Sequence, residues 1–224
     1  MCFHNALSVK AQDLEHRYKA KFNKDSHFEP IYHGYAFGFM LWPVITNKNS
    51  KYIQEFNWGL IPSWVKTKNE AQKIRSCTFN AQVETAFEKP SFRNAIKTKR
   101  CLIPSTGFFE WQTIKSKKYP YFISLKEQQI FSMAGLWEEW IDKQTGEILQ
   151  TFSILTTTAN PLMEKIHNTK KRMPVILASE LETEWLSQTL TNDNILALCQ
   201  PYNENLMQAH TVSKLYFNRD KFLH

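Results

Sequence analysis

Residues 101–112, Cys-Leu-Ile-Pro-Ser-Thr-Gly-Phe-Phe-Glu-Trp-Gln, decide the fold class of this chain. Apolar and aromatic residues dominate the run, and it reads as a β-strand. Successive strand side chains point to opposite faces, so Phe108 and Glu110 share one face and Phe109 and Trp111 the other. Runs of the same kind occur at 31–45, 52–60, 120–125, 130–137, 149–158 and 173–177. Helical patterns are inserted between or after them. One covers 8–22, with Ser8 as cap and Leu14 and Tyr18 at i, i+4 spacing, and another follows Ser91 through Ile96. A third starts at the capping-box sequence Ser179-Glu-Leu-Glu182 and buries Leu181 and Trp185, and a short last helix covers 193–199. Strands predominate in the middle and do not alternate regularly with helices. That pattern predicts an α+β fold, a curved, mostly antiparallel, barrel-like sheet flanked by helices. No linker, repeat or low-complexity stretch divides the 224 residues, so a single domain over 1–224 is expected.

With 42% hydrophobic and 14% aromatic residues, the chain can fill a sizeable core and still spare aromatics for stacking. A net charge of +7 suits an anionic partner. The four cysteines, Cys2, Cys77, Cys101 and Cys199, form no CxxC pair and no Cys/His spacing suited to zinc. Reduced thiols in the cytoplasm, and no bound metal, are the expectation. The N-terminus lacks the charged and apolar regions of a secretory signal, and no stretch nears the ~18 apolar residues of a membrane span. Without a GxGxxG or P-loop sequence there is no support for nucleotide binding, and no cofactor is expected.

Cys2 carries the most chemistry. Removal of Met1 would leave an N-terminal cysteine, with an α-amine and a thiol on neighbouring carbons. Unperturbed, these groups titrate near ~8 and ~8.5, so both have reactive forms at neutral pH. The amine can condense with an aldehyde and the thiol can close on the imine as a five-membered thiazolidine. Cys2 is otherwise a small buried hydrophobe. Glu110, flanked by Phe108, Phe109 and Trp111, is either a buried general acid/base raised by desolvation, an exposed carboxylate on an edge strand, or part of a structural ion pair. Asn80 is a helix cap or a holder of substrate oxygen or amine, and Glu84 an ion-pair candidate. His167 precedes Lys170, Lys171 and Arg172, a loop suited either to solvent or to phosphates. Further cations cluster at Arg93, Lys97, Lys99 and Arg100, and at Lys115, Lys117 and Lys118. In Trp58-Gly-Leu-Ile-Pro-Ser-Trp64, Trp58 reads as core and Trp64 as an open platform for an unstacked base.

Taken in order, nine segments resemble the SOS-response-associated peptidase (SRAP) family: Met1-Cys2, Trp58–Trp64, Asn80-Ala with Glu84-Thr85, Lys89–Arg93, Arg100–Pro104, Gly107–Trp111, Ala134–Trp137, Thr156–Ala159 and Arg172–Ile176. The similarity extends from Cys2 to about Asn218. It implies a protein that crosslinks to and shields abasic sites in single-stranded DNA, a monomer without cofactor, associated with the nucleoid when bound. Residue by residue, it implies Cys2 as nucleophile with Asn80, Glu110 and His167 around it. DNA contacts are expected from Trp64, Gln82, Arg93, Trp111, Lys171 and Arg172. Three departures stand out. Phe3-His4 replaces the family's frequent Gly-Arg, and Gln82 replaces an Arg. His167 lies five residues before Arg172 instead of two. Fewer cations near the site imply weaker, less salt-sensitive DNA binding than is usual in the family. Two readings outside this family chemistry stay open: an N-terminal-nucleophile amidohydrolase using Cys2, and a non-covalent single-strand-binding module.

Overall fold

The computed structural model describes residues 2–217. Its first half runs β1 (His4–Leu7), α1 (Ala11–Tyr18), β2 (Lys21–Phe22), β3 (Ile31–Tyr35), β4 (Leu41–Thr46), β5 (Asn49–Trp58), α2 (Lys68–Arg75), β6 (Asn80–Gln82), α3 (Val83–Ala86) and α4 (Ala95–Thr98). Then follow β7 (Arg100–Ser105), β8 (Gly107–Ile114), β9 (Lys117–Leu125), β10 (Phe131–Ile141) and β11 (Ile148–Thr158). The remainder is α5 (Pro161–Ile166), β12 (Arg172–Pro174), β13 (Ile176–Leu177), α6 (Glu182–Trp185), α7 (Asn192–Leu198) and β14 (Met207–Thr211).

Strands β11, β10, β7, β4 and β5 pair antiparallel in that order. A parallel contact between β5 and β11, Thr151 opposite Asn57 and Phe152 opposite Trp58, closes them into a barrel. Closure removes the free edges that an open sheet would expose. A second, antiparallel sheet has the order β14-β9-β8-β1-β3. The fold is therefore α+β with a barrel-like core, as the strand pattern predicts. Trp42, Phe56, Trp58 and Phe152 are fully buried in the main core. The indole N–H groups of Trp42 and Trp58 donate to the carbonyls of Pro104 and Phe79, so these large side chains are buried without stranding a donor. No helix among the described residues is long and apolar enough to cross a membrane.

The run 101–112 is two strands in two sheets, not one. The chain turns a corner at Thr106, whose N–H donates to Ala6 O at 2.9 Å. The Ser105 hydroxyl donates to Asn5 Oδ1 at 2.7 Å. Gly107 makes the corner possible: a Cβ there would lie 2.1 Å from Phe122 Cζ and 2.8 Å from the Ile123 carbonyl. Gly107→Ala is expected to destabilise the protein by about 2–3 kcal/mol, the usual cost of overpacking against a backbone that cannot retreat. A urea titration would show it as a lower midpoint with the slope unchanged.

Other expected elements are corrected in similar ways. The run 31–45 is interrupted by a 3₁₀ turn at Ala36–Gly38, and Phe39 adopts a left-handed backbone with φ 49°. Helix α1 starts after Lys10 rather than at Ser8, because the Ser8 hydroxyl and N–H are both engaged by Thr106. Glu182 closes no capping box; both its oxygens accept from Arg17, at 2.7 and 3.0 Å. Trp185 is buried as expected, while Leu181 is only half-buried. Arg100 is not a surface cation: it is fully buried, donating to the carbonyls of Ile96, Lys97, Trp185 and Ser187.

Candidate functional site

Strand β1 brings the N-terminus to β8, with Asn5 opposite Phe108 and Ala6 opposite Gly107. Cys2, two residues before β1, lies near enough to Glu110 for that carboxylate's charge to act on its thiol. The alternation expected along β8 holds. Phe108 joins the main core, whereas Phe109 and Trp111 pack on the opposite face against Phe217. Glu110 is buried on the Phe108 side, and loss of hydration pushes its carboxyl up to about 7. Burial, reinforced by the charge of Glu110, pushes the Cys2 thiol well above its ordinary value. The standing thiolate expected for a free cysteine is thus scarce here at neutral pH.

Asn80 is not a helix cap. It lies on β6, which pairs in parallel with β11, and Gln82 holds the position before α3. The buried Asn80 Nδ2 donates to the Cys2 carbonyl at 3.0 Å. Its Oδ1 is also buried and accepts no hydrogen bond among the described residues.

His167 ends α5, which Asn160 caps by accepting from the Met163 N–H at 2.9 Å. The ring nitrogen Nδ1 lies 2.8 Å from Arg172 O. A carbonyl only accepts, so Nδ1 carries the proton and Nε2 is left as an acceptor. Nε2 points at Glu110 Oε2, 3.7 Å away. Burial, helped by the charges of Lys170 and Arg172, depresses the imidazole to about 4. Burial thus favours the neutral form of both groups. Three residues more than the family spacing separate His167 from Arg172. They are absorbed by a closed turn in which Lys171 N–H donates to His167 O at 2.8 Å and Lys171 has φ 48°.

Glu110 and His167 line a cleft of about 450 Å³ with Phe3, His4, Trp111, Thr113, Lys118, Thr169 and Lys170. His4 packs against Trp111 at 4.6 Å between ring centroids and stacks on Tyr35 at 4.7 Å. Of the expected DNA contacts, only Trp111 lines this cleft. Arg172 is committed elsewhere: its guanidinium donates to both Glu84 oxygens, at 2.5 and 2.8 Å, and to Thr156 O. It is a strut under the His167 turn rather than a free cation. Gln82, Arg93 and Lys171 are exposed outside the cleft, and Lys171 lies 3.7 Å from Glu164. Trp64 is open, 53% exposed, but its indole donates to Pro90 O and it too stands outside the cleft. The cleft cations are Lys118 and Lys170, one from each of two clusters visible in the sequence. His4 could have been singled out as a near neighbour of Cys2. Lys118 could not, because only the hairpin register sets it opposite Thr113. Among the described residues no group of three or more His, Cys, Asp or Glu side chains could hold a metal. Met1 and Asn218, the ends of the motif span, lie outside the described residues.

A family model described as SOS response associated peptidase (SRAP) matches residues 1–218. The abasic site processing protein YoqW of Bacillus subtilis is 42% identical over 174 residues, 77% of this chain and 74% of that protein. The abasic site processing protein HMCES of Xenopus tropicalis is 30% identical over 159 residues, 62% of this chain and 46% of that one. A crystal structure of a protein from Bacteroides thetaiotaomicron superposes with a TM-score of 0.93 at 44% identity, covering 97% of this chain and 94% of that one. A Bordetella bronchiseptica structure with a TM-score of 0.82 at 23% identity shares the fold. With a family match over almost its whole length, and with the Cys2 carbonyl held by Asn80 and Glu110 facing His167, the chain belongs to the SOS response associated peptidase (SRAP) family.

Proposed function

We propose that this protein captures abasic sites in single-stranded DNA by forming a thiazolidine between Cys2 and the ring-opened deoxyribose. The observation that carries the reading is the hold of Asn80 on Cys2, with Oδ1 of the same amide buried and open to accept from an α-amine. Once Met1 is removed, by the protein itself or by a host aminopeptidase, that amine attacks the aldehyde carbon to give a carbinolamine. Protonated Glu110 gives its proton to the departing hydroxyl, and water leaves with the formation of the imine. Glu110, now a carboxylate, takes the thiol proton as sulfur adds to the carbon of the protonated imine, and the C=N electron pair returns to a nitrogen that has kept its own hydrogen. The ring closes with no net oxidation or reduction.

A carboxyl titrating near 7 suits both directions of this transfer, because general acid–base catalysis is most effective when the group's pKa lies near the working pH. Neutral His167 can accept a hydrogen bond from a sugar hydroxyl through Nε2. Holding amine, thiol and aldehyde together supplies an effective molarity on the order of 10⁵ M or more. Closure matters because an open imine permits β-elimination and strand scission, and the ring prevents it. The setting is the cytoplasm, with the protein carried to the nucleoid by its DNA. A thiol pushed upward by burial gives less support to an amidohydrolase, which would need a ready nucleophile for an amide.

Mature protein lacking Met1, mixed with an oligonucleotide bearing one abasic site, is expected to give a heat-stable 1:1 adduct by intact-mass spectrometry. The adduct mass should be the sum of the two components less one water. No adduct from protein shown to begin at Cys2 would defeat the reading.

A further inference from the structure

Arg75 is the last residue of α2 and is only 9% exposed. Other arginines drawn into the fold are met by oxygen. Arg100 is surrounded by four carbonyls, Arg17 meets Glu182 and Arg172 meets Glu84. Arg75 is different. Its Nε and Nη2 are buried and make no hydrogen bond among the described residues, and its guanidinium instead stacks over the Phe39 ring at 4.1 Å. A guanidinium remains charged in proteins, and a buried charge normally requires a partner. Nε and Nη2 form the side edge of the guanidinium, the pair of donors that matches two oxygens of a carboxylate or phosphate.

The surroundings indicate which anion this edge serves. Phe39 lies 5.5 Å from Phe79, and Phe79 lies 6.1 Å from Phe3, which lines the Glu110–His167 cleft directly after Cys2. Phe37 packs on Phe79 at 4.7 Å and Tyr35 on Phe37 at 5.3 Å, yet these two rings are 46% and 43% exposed. Exposed aromatics that end on a cation are the usual platform for an unpaired strand, with bases on the rings and phosphate on the charge. Phe39 holds a left-handed backbone after the 3₁₀ turn, a conformation unfavourable for any residue with a side chain.

We propose that the Nε–Nη2 edge of Arg75 binds a phosphodiester of the strand held in the cleft, reached when Phe39 lifts away while neighbouring bases stack on Tyr35 and Phe37. The inference rests on the single-strand reading above. It gives this chain a cation near the site, although Phe3-His4 and Gln82 stand where the family often has arginine.

The test uses an undamaged single-stranded oligonucleotide, so that crosslinking chemistry plays no part, with full-length protein as wild type, Arg75→Met and Arg75→Lys. Affinity is measured between 50 and 300 mM KCl, and melting temperature without DNA. Arg75→Met is expected to melt higher, since an unpaired buried charge is removed, and to bind about 5- to 10-fold more weakly at low salt. One lost phosphate contact on a single strand should flatten its log–log salt slope by about 0.7. Arg75→Lys should keep the slope and lose affinity. An Arg75→Met protein that binds like wild type with the same slope overturns the proposal. So does one that melts lower or fails to fold, which would make Arg75 a structural strut. Wild-type protein that binds no oligonucleotide at any salt defeats the single-strand reading itself, and the proposal with it.

Discussion

Cys2→Ala is expected to abolish the heat-stable adduct with abasic DNA, lowering its yield by at least about 100-fold while single-strand affinity stays near wild type. The alanine variant keeps an α-amine at the same place, so the imine still forms. What it loses is the sulfur that closes the ring, and with it the drop from a reversible to a stable linkage. Two further readouts follow from that difference. Borohydride should trap the variant on DNA, by reducing the imine. Strand scission should rise, because an open imine permits elimination at the neighbouring carbon. A heat-stable adduct formed equally well by the alanine variant would show that another residue is the nucleophile. The Asn80 amide bonds the backbone carbonyl of residue 2 rather than its side chain, so the substitution should leave that hold in place.

Glu110→Gln should separate chemistry from folding. Loss of a general acid/base typically lowers a rate by about 10²- to 10⁴-fold, and adduct formation by the variant should lose the inflection near pH 7 expected of wild type. Stability should move the other way. Burial raises the folded-state pKa of Glu110 to about 7, above the ordinary value of 4.5, so the folded protein holds this proton more tightly than the unfolded chain. The stabilising contribution is complete below about pH 4.5, declines as pH rises and is lost above 7. Removing the titration should therefore stabilise the variant at pH 8, by up to roughly 3 kcal/mol, and change little near pH 4. Thermal melts of both proteins across that range would check it. A variant that melts lower than wild type at pH 8 would mean that charged Glu110 is fully compensated in the fold. Such opposed effects are typical of a site kept in an unfavourable state for function.

Much of this is legible in the sequence, for identifiable reasons. The alternation through Phe108, Phe109, Glu110 and Trp111 fixes which face each occupies, since a strand repeats every two residues whatever surrounds it. Burial of Glu110 follows once the Phe108 face is the core face. The short helix expected over 193–199 is α7 at Asn192–Leu198, whose start Thr191 and Asn194 cap through contacts three residues apart. Where expectation failed, a distant partner had overruled a local preference. Ser8 could cap a helix but meets Thr106, 98 residues away. Asn80 could cap α3 but meets Cys2, 78 residues away. The β8–β9 hairpin turns through Lys115 and Ser116, both with positive φ (45° and 67°). Without the usual Asn or Gly, that two-residue turn carries no sequence signal, and the register that sets Lys118 opposite Thr113 stayed hidden.

The sequence by itself determined the class of fold and the aminothiol chemistry latent at Cys2. Each depends on covalent structure or on neighbours within a few residues. Only the tertiary structure decided the corner at Thr106, the closing of the barrel through β5 and β11, the turn that still delivers His167 to Glu110, and the choice of Lys118 and Lys170 over Lys171 and Arg172 as the cations of the cleft. Those outcomes are set by which surfaces meet when the core is filled, and a cation that meets a carboxylate in that packing, as Arg172 meets Glu84, is held by the fold.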